Sequence, residues 1–107
     1  MTTISILYPY RKEGRFDFEY YVNNHMPTSI RLLGAHPGFL GVSVERGLGG
    51  AAPGSDPTFV AACHYRFESP DAFTAAFDPH AAELQADRAR YTDVAPVIQA
   101  NEVVITR

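Results

Sequence analysis

Apolar and polar residues alternate from Thr3 to Tyr10. Ile4, Ile6 and Tyr8 fall on one side and Thr3, Ser5 and Leu7 on the other, a period of two that predicts a strand ended by Pro9. After the polar turn Arg11 to Gly14 the period lengthens. Phe16, Tyr20, Tyr21 and Asn24 recur at helical spacing, and Asp17 and Glu19 sit in the first turn, where negative charge suits the helix dipole. Pro27 disfavours helical geometry at Met26, so this helix is expected to stop or kink near His25. A second helical piece then runs from Pro27 to Leu33 and is closed by Gly34. Alternation returns from Phe39 to Arg46, setting Leu40, Val42 and Val44 against Gly41, Ser43 and Glu45. It returns again from Phe59 to Phe67, where Cys63, Tyr65 and Phe67 oppose His64 and Arg66. Between these two strands, Gly47 to Pro57 is rich in glycine and proline and has no period, as expected of a mobile hairpin loop or a lid. Ser69 is a good N-cap with Pro70 and Asp71 behind it, and Ala72, Phe73, Ala76 and Phe77 form a helical stripe. Asp78-Pro79 interrupts that helix and restarts it, with Asp78 as the new N-cap and the helix reaching about Arg90. Pro96 to Thr106 is the last predicted strand.

The order is β-α-β-β-α-β, which predicts an α+β ferredoxin-like sandwich with a four-stranded antiparallel sheet. Both helices of that arrangement cover one sheet face. The other is bare, and a monomer rarely exposes a large apolar patch, so a homodimer with a cavity between two sheets is expected. Cys63, Tyr65 and Phe67 lead directly into the second helix and are placed beneath it, which turns His64 and Arg66 toward the inter-sheet cavity. If strand three is turned over, Cys63 and Tyr65 line that cavity instead.

Length and charge narrow the function classes. The 107 residues suit one domain, residues 1–107, and 46% apolar against 20% charged residues gives an ordinary globular composition with a single core. A net charge of −3 without any basic block argues against nucleic acid as a partner. The single cysteine, Cys63, precludes an intramolecular disulfide and points to a reducing compartment. No apolar run approaches the ~20 residues of a membrane span, and Met1-Thr2-Thr3 enters a strand without a leader-like segment, so a soluble cytoplasmic protein is expected.

Histidine carries the candidate chemistry. His64, on the face assigned to the cavity, can move a proton to or from an enolisable substrate while Arg66 holds a carboxylate or developing enolate. The alternative is a histidine satisfied across a dimer interface. His25 follows Tyr21 by four residues and so shares its helical face. It sits near a predicted helix end whose dipole favours imidazolium, and reads either as a second acid or base or as a cap. Tyr21, Ser43 and His80 complete the expected substrate contacts. His80, Leu84, Asp87 and Tyr91 share one helical face, but His80 and Asp87 lie about 10 Å apart along the axis and cannot pair. Asp87 and Tyr91 are read as ties to other elements, through accepted hydrogen bonds and a packed ring with a satisfied hydroxyl. The four histidines and one cysteine show no HxxxH, CxxC or HxH spacing, so neither a metal nor any other cofactor is expected. Cys63 reads as a small core residue.

Taken together, these residues resemble a known family. Tyr20-Tyr21 with His25-Met26-Pro27, then Ala62 to Ser69 leading to Ala72-Phe73, then Phe77-Asp78-Pro79-His80, Asp87, Tyr91-Thr92 and Pro96 with Gln99, are similar to the EthD family. That family is named for a protein needed in bacterial degradation of ethyl tert-butyl ether and belongs to the dimeric α+β barrel superfamily. The resemblance covers Thr3 to Ile105. It implies a ferredoxin-like protomer, a homodimer whose sheets form a barrel, and a cavity for a small hydrophobic ligand. Related barrels include cofactor-free monooxygenases, polyketide cyclases, muconolactone isomerases and haem-handling proteins, so the fold implies no single reaction. A cofactor-independent enzyme, or an accessory to one, acting by proton transfer is the first expectation. A non-catalytic carrier of a hydrophobic ligand is the second, and an oligomer scaffold the third.

Overall fold

Four strands, β1 (Thr2–Pro9), β2 (Phe39–Arg46), β3 (Phe59–Phe67) and β4 (Val97–Glu102), form one antiparallel sheet in the order β2-β3-β1-β4. They are described by a computed structural model covering all 107 residues. Two helical layers lie over one face. The first runs through α1 (Phe18–Tyr20), a π turn (Tyr21–His25) and α2 (Met26–Leu33). The second runs through α3 (Pro70–Phe77), a 3-10 turn (Asp78–His80), α4 (Ala81–Asp87) and a 3-10 turn (Arg88–Arg90). This is the ferredoxin-like βαββαβ arrangement that the periodicity predicts. No helix is long and apolar enough to cross a membrane.

Register explains which residues reach the core. β1 pairs Ile4 with Tyr65 and Ile6 with Cys63 across to β3, so alternation sends Ile4, Tyr8, Cys63, Tyr65 and Phe67 under the helices, all buried. The same pairing sets Ser5 opposite His64 and Thr3 opposite Arg66 on the open face. Strand three is therefore oriented as its sequence predicts.

Four boundaries differ from expectation. In β2 the register slips between Phe39 and Gly41, so Phe39 rather than Leu40 joins Val42 and Val44 against the core, and Leu40 is exposed. Glycine is needed at this bulge because φ at Gly41 is +157° and a Cβ there would fall onto the Arg66 guanidinium. Secondly, the break expected near His25 is there, but as a π turn rather than a stop, and the second helical piece starts at Met26 and ends at Leu33 with Gly34 as its C-cap. In α-helical register the Pro27 ring would crowd the carbonyl of Asn23 and leave it without a donor. The chain instead widens into a π turn, in which the Met26 N–H reaches the Tyr21 carbonyl, and continues to Leu33. Thirdly, Asp78 makes no capping hydrogen bond, and the second layer passes through a 3-10 turn there. Lastly, β4 is shorter than predicted at both ends.

The start of the first helical layer is stapled to the end of the second. Asp17 N–H donates to the Tyr91 carbonyl at 2.7 Å, Thr92 Oγ1 donates to the Arg15 carbonyl at 2.6 Å, and Arg15 N–H donates to Asp93 Oδ1 at 2.9 Å. Asp17 also caps α1 by accepting from the Tyr20 N–H at 3.1 Å, a bond of a kind that contributes about 1 kcal/mol. The Tyr20 to His25 turn is thereby laid against Asp87 and Tyr91.

Candidate functional site

A cavity of about 250 Å³ lies between the helical layers and the sheet, of a size for a small organic molecule. Met26, Leu33, Phe73 and Phe77 contribute to a mostly apolar wall, and the lining residues with polar groups are Tyr8, Tyr21, His25, Ser29, Tyr65, Gln85, Arg88 and Tyr91. The π turn brings Tyr21 and His25 in together. Their rings stack with centroids 5.7 Å apart and planes 13° apart, while the Tyr91 ring packs on His25 at 4.7 Å.

His25 is buried, and its Nδ1 lies 2.9 Å from Asp87 Oδ2. The other carboxylate oxygen accepts from the Tyr20 hydroxyl at 2.7 Å and faces Arg90 Nε at 3.4 Å. Desolvation works to raise the Asp87 pKa, yet the hydrogen bonds from Tyr20 and His25 outweigh it and hold the carboxyl below its ordinary value. An ionised carboxylate only accepts, so Nδ1 is the protonated nitrogen of neutral His25. Nε2 is then left with its lone pair. It has no hydrogen-bond partner in the protein, and no polar side-chain atom is sealed without one, so Nε2 stays accessible in a residue that lines the cavity. An imidazole held by a carboxylate in this way can accept a proton at Nε2 and return it.

The tyrosines of the cavity are neutral donors. Burial raises the phenols of Tyr8, Tyr21, Tyr65 and Tyr91 above their ordinary value, so each keeps its proton near neutral pH. Their hydroxyls pair: Tyr8 with Tyr91 at 2.7 Å and Tyr65 with Ser29 at 2.5 Å. Burial pushes the Cys63 thiol up to about 12, which leaves it a protonated wall residue rather than a nucleophile. No three His, Cys, Asp or Glu side chains converge on one point.

Of the residues singled out in the sequence, Tyr21 and His25 meet in this cavity and His80 does not reach it. His64, Arg66 and Ser43 lie on the opposite sheet face. There His64 bridges Ser5 Oγ at 2.9 Å and Glu45 Oε1 at 3.1 Å, in a chain continued by Asn101, whose Nδ2 donates to Ser5 at 3.0 Å. The mostly apolar cavity of the protomer is thus on the helix side, where Cys63 and Tyr65 already point without any turning over of strand three. The helix-end dipole expected at His25 is also absent, because the helix continues past it, and Asp87 takes the place of that dipole.

Sequence reasoning missed the partnership of Asp87 with His25 and the roles of Tyr8, Ser29, Tyr65, Tyr91 and Arg88 as cavity walls. One signal was available: a tyrosine on the buried side of a strand, as at Tyr8 and Tyr65, has a hydroxyl that must find a polar partner inside.

The pattern that defines the EthD domain matches residues 15–95. Among solved structures the chain is similar to an EthD-like protein of Ralstonia eutropha JMP134, with 42% identity, TM-score 0.92, and 99% of this chain and 94% of that one covered. It is also similar to an ethyl tert-butyl ether degradation (EthD) family protein of Bacillus halodurans C-125, at 19% identity and TM-score 0.70 over 95% and 97% of the two chains. A putative monooxygenase of Shewanella loihica PV-4 shares the fold alone, at 12% identity and TM-score 0.65 over 98% and 95%. No curated protein matches the sequence.

Proposed function

The chain belongs to the EthD family, and from that premise we propose that it is an acid–base enzyme for a small, largely apolar compound, with His25 as the proton-transfer group. The observation that carries this reading is the Asp87 carboxylate on His25 Nδ1, which leaves Nε2 as the free nitrogen of a histidine that lines a mostly apolar cavity. Asp87 steadies the imidazolium formed when Nε2 takes a proton, and Tyr20 and Arg90 keep Asp87 ionised. Tyr21 fixes the ring plane by stacking. The mostly apolar wall lowers the polarity around the ring, which strengthens each of these interactions. The pair of sheet-face residues His64 and Arg66 is read as structural, His64 through Ser5 and Glu45.

The open sheet face is read as the seat of a second copy of the chain. Leu7 and Val97 are paired neighbours there, and Arg66 has no ion-pair partner within the protomer.

The test is solvent deuterium incorporation into a panel of small enolisable ketones and phenols, followed by NMR for the unmodified protein, His25→Gln and His64→Gln. Loss of exchange in His25→Gln, by about 10²-fold or more, is the expected result. Exchange that survives in His25→Gln and disappears in His64→Gln would move the chemistry to the sheet face and overturn the proposal. Tight binding of panel members without any exchange would favour a carrier, which the apolar wall would also serve.

A further inference from the structure

The cavity holds a hydrogen that the protein does not use. Tyr8 and Tyr91 carry two hydroxyl hydrogens, and only one can lie in the 2.7 Å bond between them. Neither oxygen makes any other hydrogen bond, both residues are buried, and both line the cavity, so the second hydrogen has an acceptor only in what the cavity binds. The same count applies to Ser29 and Tyr65, but a cation separates the two pairs. Arg88 lines the cavity, has no carboxylate partner, and acts electrostatically on both Tyr8 and Tyr91 while having no such effect on Tyr65. Of the carboxylates nearest in sequence, Asp87 is engaged by Arg90 and His25 and Asp93 by Arg11, while Glu83 makes no ion pair with Arg88 or with any other residue. The Tyr91 ring also packs directly on His25. A free O–H donor, an arginine with no carboxylate partner and a histidine packed on one of the two tyrosine rings are therefore gathered in the lining of one cavity.

We propose that the Tyr8–Tyr91 hydroxyl pair, backed by Arg88, is an oxyanion-binding site, and that the ligand class is a small carbocycle bearing a ketone or phenol oxygen. This rests on the reading of His25 as the base and adds the group that receives the negative charge. In the step it supports, the bond between the α-carbon of a ketone and its hydrogen breaks. The proton goes to His25 Nε2, the electron pair forms the carbon–carbon double bond, and the carbonyl pair moves onto oxygen as an enolate. No electron is gained or lost overall, so the step needs no oxidant or reductant. The enolate oxygen accepts from the free tyrosine hydroxyl and faces the guanidinium, and both interactions are stronger there than with the uncharged ketone. A phenol is bound as a neutral mimic of the enol.

Binding of 2-naphthol and of its near-isostere 2-methylnaphthalene, measured by calorimetry or ligand fluorescence, tests the site without requiring turnover. The unmodified protein is expected to prefer 2-naphthol by about tenfold, the scale of one hydrogen bond in an apolar site. The double variant Tyr8→Phe with Tyr91→Phe is expected to lose that preference while binding 2-methylnaphthalene as before, which also shows its cavity to be intact. Arg88→Met, which keeps the apolar stem and leaves the tyrosines in place, is expected to reduce the preference. It provides the readout if the double variant does not fold. An undiminished preference in these variants, or no preference in the unmodified protein, overturns the proposal. His25→Gln separates this outcome from the fate of the base: it is expected to abolish deuterium exchange and to keep the preference for 2-naphthol.

Discussion

At the scale of single residues, the account turns on how a histidine and an aspartate distant in sequence define each other. Asp87 alone is an acceptor on a helix, and His25 alone is an imidazole of undetermined tautomer; joined at 2.9 Å, they become an ionised carboxylate and a ring whose Nε2 is a base. The pairing has a consequence for stability. The Asp87 carboxyl lies below its ordinary value in the folded protein, so its hydrogen bonds favour the folded state above the unfolded-state pKa of about 4 and cease to do so as pH falls through the lower, folded value. Asp87→Asn is therefore expected to cost about 1–2 kcal/mol at neutral pH, with the gap from the unmodified protein narrowing below about pH 4. Urea unfolding across that range checks it, and a pH-independent gap would argue against an ionic role. Neither partner was legible as such in the sequence. His25 and Asp87 both stood in the family-like pattern, but the spacing argument could only exclude a pair between Asp87 and His80 on the same helix. A contact between different helical layers leaves no periodicity to detect.

At the scale of elements, the strands and helices were legible because their faces are one-sided, and the failures fall where local chemistry overrides period. Pro27 carries a strong stop signal, yet the neighbouring turn widened to π geometry instead, and that turn is what sets Tyr21 and His25 on a common face. Leu40 reads as part of the alternation with Val42 and Val44, but a bulge at Gly41 hands its place to Phe39. The staple between layers was invisible for a different reason: it depends on Thr92, a residue of ordinary polarity whose distant partner is a backbone carbonyl at the far end of the chain. Thr92 Oγ1 donates to the Arg15 carbonyl and accepts from the Val94 N–H, both with little access to water. Thr92→Val keeps the shape and leaves two polar groups unpaired, so it is expected to destabilise the fold by about 2–3 kcal/mol. It should also lower deuterium exchange by loosening the first helical layer against Asp87. Unchanged thermal unfolding in this variant would show that the layers are held together by packing alone.

At the scale of the whole molecule, the sheet divides two kinds of polar chemistry. The helix side carries a cavity lined by protonated tyrosines, by His25 paired with Asp87, and by an arginine without a carboxylate partner. The open side carries a surface chain of Gln99, Asn101, Ser5, His64 and Glu45 around smaller apolar groups. The sequence pointed to His64 because alternation separates it from the core, and that separation is correct; what alternation could not show is that the protomer's own cavity lies on the core side. If the open face seats a second copy, sedimentation is expected to give about twice the 11.8 kDa chain mass, and Leu7→Glu should return the protein to a folded monomer. A monomeric unmodified protein would leave the open face without its proposed partner and the helix-side cavity unaffected. The central claim rests on one lone pair, and long-range proton–nitrogen correlation NMR of imidazole-labelled protein above neutral pH observes it directly. The expected result is a protonated Nδ1 and an unprotonated Nε2 at His25, with that preference lost in Asp87→Asn. A His25 ring protonated at Nε2 instead would contradict the account, because the nitrogen without a protein partner would then have no lone pair with which to accept a proton.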